Sequence, residues 1–323
     1  IITLSGMSAG VLVVISGLLG AGDIKQAQDA AHTSVALYAL MAAVMTVLGL
    51  LFVPQILRLV QTPAAAMPEA KRYLYTVFAG TVFTFGYNLI GALQRGLGNA
   101  TASMSFVIIS SAANIALDAV FIVWLGMGAL GAALGTVLSQ VAAFVIGTVQ
   151  LARGGAALRL SARAVRFHKK HLKNILLFGV PTALNEVMVN LAMLTVSGVA
   201  NSFGLASSAA YGVGSRINSL AIFTDGAMNQ TMSAYASQNI GAGRQKRALE
   251  GLWKAIILSA GAALGTSLLV LGFASEFSAC FDSDPTVIEQ SAAFLRVTVW
   301  SYPLFATVGP LIGFIRGTGN VEA

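Results

Sequence analysis

Gly20-Ala21-Gly22 returns as Gly241-Ala242-Gly243, and Arg95-Gly96-Leu97-Gly98-Asn99 returns as Arg316-Gly317-Thr318-Gly319-Asn320. Both pairs are separated by the same 221 residues, so no net insertion falls between the two signatures of either copy. Lys25/Lys246, Ala27/Ala248, Leu37/Leu258, Phe52/Phe273 and Leu74/Leu295 match in that register. A duplication inside a strongly apolar chain implies a membrane body built from two related bundles.

The composition sets the solvent. Of 323 residues, 56% are hydrophobic and 10% charged, with a mean hydropathy of +0.79. Soluble domains carry about a quarter charged residues, so this much apolar surface calls for a bilayer. The chain opens on Ile1 in mid-pattern and reads as a fragment. Residues 2–19 lack the basic start and small-residue exit of a signal peptide. The lone Cys280 excludes a disulfide framework or a cysteine metal site. His32, His168 and His171 are expected in or near loops, without metal spacing. A net charge of +7 suggests nucleic acid at first sight, but the charges sit between apolar runs, so no nucleic-acid partner is expected.

Runs long enough to cross a bilayer fall at 1–19, 32–57, 73–94, 103–125, 129–152, 174–200, 208–238, 251–275 and 288–314. These nine spans predict an all-α integral membrane fold, since barrel strands would alternate. Residues 153–173 carry seven Lys or Arg and no acid, whereas 276–289 is acidic. The excess of basic residues places 153–173 on the cytoplasmic side. It then reads as a solvated linker between a first bundle at 1–152 and a second at 174–323. The Gly-Ala-Gly copies lie six spans apart, so the repeats share orientation, and a complete molecule would have about twelve spans.

Acids inside apolar spans are costly, roughly 2.5–3.5 kcal/mol each at mid-membrane, and are functional candidates by default. Asn114 and Asp118 are four residues apart and share a helix face. A turn at Gly126–Gly131 places Thr136 at a similar depth. An amide, a carboxylate and a hydroxyl suit Na⁺ or a proton relay; the structural alternative is a hydrogen-bond cluster ordering the bundle. Glu186 and Asn190 share a face soon after Pro181, which invites a bend. Asp225 shares a span with Arg216 and Asn229, and reads equally as part of an internal ion pair or hydrogen-bond network or as a substrate contact. Tyr87, Asn88, Gln140, Asn218 and Gln230 are further cavity candidates. No G-x-S-x-G, H-E-x-x-H or P-loop occurs, so an enzyme is not expected.

These motifs together resemble the multidrug and toxic compound extrusion (MATE) family. The resemblance rests on Gly-Ala-Gly, Arg-Gly-x-Gly-Asn, Asn114-Ile-x-Leu-Asp118-x-x-Phe-Ile122, Gly131-Ala-Ala-Leu-Gly-Thr136-x-x-Ser-Gln140, and Gly179-Val-Pro181 followed by Glu186. It implies a twelve-span antiporter of the cell (inner) membrane. Such a protein exports cationic amphipathic compounds against Na⁺ or H⁺ and needs no cofactor beyond the coupling ion. A monomer is expected. The resemblance assigns Asn114, Asp118 and Thr136 to a cation site completed by an aspartate on a first span absent here, and Glu186 to an acidic position of the second bundle. Residues 300–314 lack the acid that some Na⁺-coupled members carry on the tenth span. The last two spans are also expected beyond this chain. A lipid-precursor flippase of the same superfamily and a passive channel are the competing readings.

Overall fold

The fold follows from short glycine turns that cut one long apolar sequence into helices. A computed structural model describes residues 2–153, 158 and 160–319. Its helices are α1 (Ile2–Gly20), α2 (Ile24–Leu59), α3 (Met67–Gly96), α4 (Ala100–Asp118), α5 (Gly128–Arg153), α6 (Lys169–Ser202), α7 (Leu205–Gly241), α8 (Gln245–Ala279), α9 (Pro285–Thr298) and α10 (Tyr302–Gly317). No strand occurs among the described residues.

The repeat is visible in backbone geometry. Gly22 and Gly243 stand at φ +76° and +72°, and Gly98 and Gly319 at +79° and +80°. Only glycine takes this left-handed conformation without a Cβ penalty. At three of the turns the chain closes with the N–H bonded five residues back: Asp23 to Leu18, Asn99 to Gln94, and Arg244 to Asn239. That is a Schellman closure, which satisfies a terminal carbonyl. Asp23 then caps α2 by accepting the Gln26 N–H at 3.0 Å, and Asn99 caps α4 through Ala102 at 3.1 Å. The Asp23 carboxyl is held below the usual carboxylate range, chiefly by the Gln26 backbone N–H.

Side-chain size is distributed inside out. On α2, Ala30, Ser34, Tyr38, Ala42, Gly49 and Val53 are buried, while Leu40, Val44, Val47, Leu48 and Leu51 are exposed. Small residues inside and large aliphatics outside suit a helix packed on protein and bathed in lipid. Seven helical segments among the described residues are long and apolar enough to cross a membrane: α2, α3, α4 with its extension, α5, α6, α8, and α9 joined to α10. Of the other two expected spans, α1 is a shorter apolar helix, and α7 carries too many Ser, Asn and Gln side chains to qualify by composition.

Local breaks depart from the expected pattern. Asp118 ends α4, and Ala119–Trp124 continues as a π-helix, so an even rise of 1.5 Å per residue does not run through to the turn. The turn is shorter than Gly126–Gly131: positive φ falls on Gly126 and Gly128, and α5 begins at Gly128. The last expected span is broken by a 3-10 turn, Val299–Ser301. His32 sits well inside α2 rather than near a loop, whereas His171 lies in the first turn of α6; both are buried.

The chain divides into two compact units. One comprises residues 10–19 and 23–179. There α3 packs on α5 and α2, and α4 on α5. Edge-to-face pairs Tyr38–Phe85 and Phe83–Phe144 fill the gaps at 6.1 and 6.3 Å. The basic segment is not freely solvated there. A 3-10 turn at Ala162–Ala164 and the residues after it bond to the start of α2. Arg159, expected in this segment, and Asn320 of the second signature lie outside the described residues.

The other unit comprises the described residues of 1–9, 20–22 and 180–323. Its core joins Val213, Ile217, Val270, Leu295, Val299 and Tyr302. Helices α7 and α10 run parallel: a Cβ on Gly309, Gly313 or Gly317 would meet Asp225, Asn229 or Ser233 respectively, within 2.2–2.8 Å. This i, i+4, i+8 ladder of glycines lets two backbones touch. In the first repeat the residue matching Gly317 is Gly96, which faces the carbonyl of Leu12, the match of Ser233.

Candidate functional site

Within the first unit, the candidate residues lie where α4 meets α5. The Ser110 hydroxyl donates to the Ser139 carbonyl at 2.7 Å and fixes the antiparallel register. That register sets Asp118 against Gly135, where a Cβ would lie 2.1 Å from Asp118 Oδ1. Only the missing side chain of Gly135 leaves room for the carboxylate. Asp118 Oδ1 and Asn114 Nδ2 are both buried atoms without a hydrogen-bond partner. Buried polar atoms are nearly always paired, so two orphans on one helix face require an account. Thr136 follows Gly135 and is half-buried. No hydrogen bond among the described residues joins the side chains of Asn114, Asp118 and Thr136.

These residues fit a small cation or a proton, with one distinction. Asp118 Oδ1 is an unused acceptor, as a hard cation requires. The orphan of Asn114 is the amide nitrogen, which donates, so its carbonyl oxygen would be the ligating atom. No cluster of three or more His, Cys, Asp or Glu occurs among the described residues. A Na⁺ here would therefore rest on Asp118 and neutral oxygens. Gln140 is drawn elsewhere: the Thr84 hydroxyl donates to its Oε1, and Asn88 Nδ2 donates to the Thr84 carbonyl at 2.8 Å. Tyr87 is half-buried beside this α3–α5 group.

Within the second unit, Glu186 and Asn190 are exposed on α6, with Asn190 Nδ2 donating to the Glu186 carbonyl at 2.7 Å. The Glu186 carboxylate is thus left open. Arg316 donates to Asn229 Oδ1 at 2.9 Å. Asp225 accepts the Gly309 N–H at 2.7 Å, one residue before Pro310, where α10 lacks a backbone donor. The Asp225–Arg216 ion pair considered from sequence is not formed: Arg216 is exposed and no such bridge occurs among the described residues. The sequence offered a hydrogen-bond network for Asp225 without naming Gly309 as its partner, although the 309/313/317 glycine spacing signals a close helix crossing.

Helices that repeat one pair of glycine turns and carry acids on apolar segments are the build of a membrane transport protein. The MatE family model matches residues 1–120 and 181–323, and the chain belongs to that family. It is 27% identical over 314 residues to "Probable multidrug resistance protein YpnP" of Bacillus subtilis (strain 168), covering 97% of this chain and 70% of that protein. It is 23% identical over 318 residues to "Multidrug export protein MepA" of Staphylococcus aureus (strain MSSA476), covering 98% and 70%. A solved structure described as the outward-facing conformation of a multidrug resistance MATE family transporter superposes with a TM-score of 0.91 at 23% identity, covering 99% of this chain and 72% of that one. That likeness shows the fold.

Proposed function

We propose that the protein exports cationic amphipathic compounds in exchange for Na⁺ or H⁺, by alternating access of its two bundles. The observation that carries this reading is Asp118 Oδ1, a buried carboxylate oxygen left without a protein partner. An ionised acid in an apolar span attracts a lipophilic cation or a small coupling cation, and the two compete for one charge. Each charge moved across the membrane gains about 2.3 kcal/mol per 100 mV, enough to drive such an exchange. Glu186, open on α6, acts as the second coupling acid. The names of YpnP and MepA support the drug-export part. The basic stretch 153–173 faces the cytoplasm from the inner membrane, and the working unit is a monomer.

The reading is tested with the full-length protein in vesicles, following gradient-driven efflux of a fluorescent lipophilic cation. Asp118→Asn and Glu186→Gln each remove one ionisable group with little change in size. Each should lower the initial rate by about tenfold or more, the loss of one charge-assisted contact. Full rates in both variants would remove the assigned roles. Equal dissipation of substrate and ion gradients without coupling would favour a channel.

A further inference from the structure

The three histidines stand apart from every residue used so far. Ser161 N–H, in the basic segment, donates to His32 Nε2 of α2 at 3.2 Å. Arg166 Nε–H donates to His168 Nε2 at 3.0 Å. A backbone amide and a guanidinium are always donors. Each imidazole nitrogen must therefore be unprotonated to hold its bond. Thr33 closes the same patch: its hydroxyl accepts the His168 backbone N–H at 3.2 Å, lies 3.3 Å from His168 Nδ1 and reaches the Arg166 carbonyl at 3.4 Å. Lys170 Nζ donates to Gln26 Oε1 at 3.0 Å one turn away.

We infer that the segment Leu160–Arg166 is an acid-released strap, docked on the start of α2 while His32 and His168 are neutral and freed when they take up protons. Protonation turns each Nε2 from acceptor to donor. His32 then faces the Ser161 amide donor to donor. His168 then faces the Arg166 guanidinium charge to charge. Asp29 Oδ1 stands 3.7 Å from His168 Nε2, ready to receive the new N–H. His168 thus exchanges Arg166 for Asp29 and keeps its own place on α2, while Ser161 to Arg166 lose both histidine anchors and keep only the long 3.4 Å contact from Thr33 to the Arg166 carbonyl. Histidine is the side chain that makes this change between about pH 5 and 8.

The other charges around the patch favour release. On the strap and the start of α6 stand Arg163, Arg166, Lys169, Lys170 and Lys173, with the buried His171 ring 5.9 Å from that of His168. Lys25 adds another cation in the first turn of α2. Against them stand Asp23 and Asp29. Each added proton therefore enters a basic neighbourhood, and the strap carries Arg163 and Arg166 away when it leaves.

The test reads strap motion without transport, so it stands or falls apart from the export reading. A nitroxide is placed on Arg163→Cys, an exposed site, in the full-length protein with Cys280→Ser, in lipid vesicles. Lowering the pH from 8 to 5.5 should raise the mobile-to-docked ratio by about tenfold, the loss of roughly one buried hydrogen bond. His32→Gln keeps a neutral acceptor for Ser161 and should flatten most of that response. A parent label equally immobile at both pH values would overturn the proposal, as would an unchanged response in His32→Gln. Should His32→Gln not accumulate, His168→Gln replaces it. It must lose about half of the response, and a full response there overturns the proposal too.

Discussion

Gly135→Ala probes the candidate cation site without touching a charged group. The added Cβ would stand 2.1 Å from Asp118 Oδ1 and 3.2 Å from its Cγ, yet 3.4 Å from the Asp118 backbone nitrogen. Ordinary contact begins near that last distance, so the backbone stays and the carboxylate oxygen must retreat by about 1 Å. Alanine gains about 1 kcal/mol of helix propensity over glycine, which offsets the crowding in α5. Folding should therefore survive while the site is spoiled. A displacement of this size costs up to about a hundredfold where geometry is demanding. We expect the half-saturating concentration of the coupling cation to rise about tenfold to a hundredfold, or roughly 1.4–2.8 kcal/mol. The assay is gradient-driven efflux from vesicles, titrated separately with Na⁺ and with protons, alongside thermal unfolding in detergent. If Gly135→Ala retained the parent half-saturation while Asp118→Asn was inactive, the placement of the carboxylate against Gly135 would be irrelevant to coupling.

Other substitutions test the packing. Asp225→Ala strands the Gly309 N–H and should cost about 1–3 kcal/mol in unfolding, whereas Asp225→Asn keeps an acceptor and should cost clearly less. Gly313→Ala drives a Cβ to 2.2 Å from the Asn229 carbonyl oxygen and should lower stability by about 1–3 kcal/mol through overpacking of α7 and α10. The depressed Asp23 carboxyl contributes its cap above the usual carboxylate range and loses it as pH falls through the lowered value. Hydrogen-exchange protection of the Gln26 amide should fade in acid accordingly. Asp23→Asn, itself a good cap, should hold that protection to lower pH.

Glycine and hydropathy made much of the fold legible. The 221-residue offset predicts duplicated turns, and Gly22, Gly98, Gly243 and Gly319 occupy matching left-handed conformations because no other residue does so cheaply. Long apolar runs located α2, α5 and α8 because lipid asks for little beyond hydrophobicity and length. The same rule said less about α7, where Ser219, Ser233 and Asn239 bond back onto their own helix and Ser207 and Asn229 meet Gln290 and Arg316. The π-helix after Asp118 was hidden, since Ala119–Trp124 is apolar in any helical register. The site was legible as residue types and helix faces. The space opposite Asp118 and the bond from Gly309 to Asp225 were not, because both depend on which glycine faces which acid across two helices. His32 and the basic segment misled for a related reason: their contacts span about 130 residues and answer to no local period.

Coupled exchange is tested most directly by running the full-length protein backwards. In sealed vesicles without an imposed ion gradient, a steep gradient of a fluorescent lipophilic cation should drive protons or Na⁺ in the opposite direction, in proportion to substrate moved. Asp118→Asn should abolish that countermovement. Substrate flow with no opposing ion, or with ions moving the same way, would contradict the account.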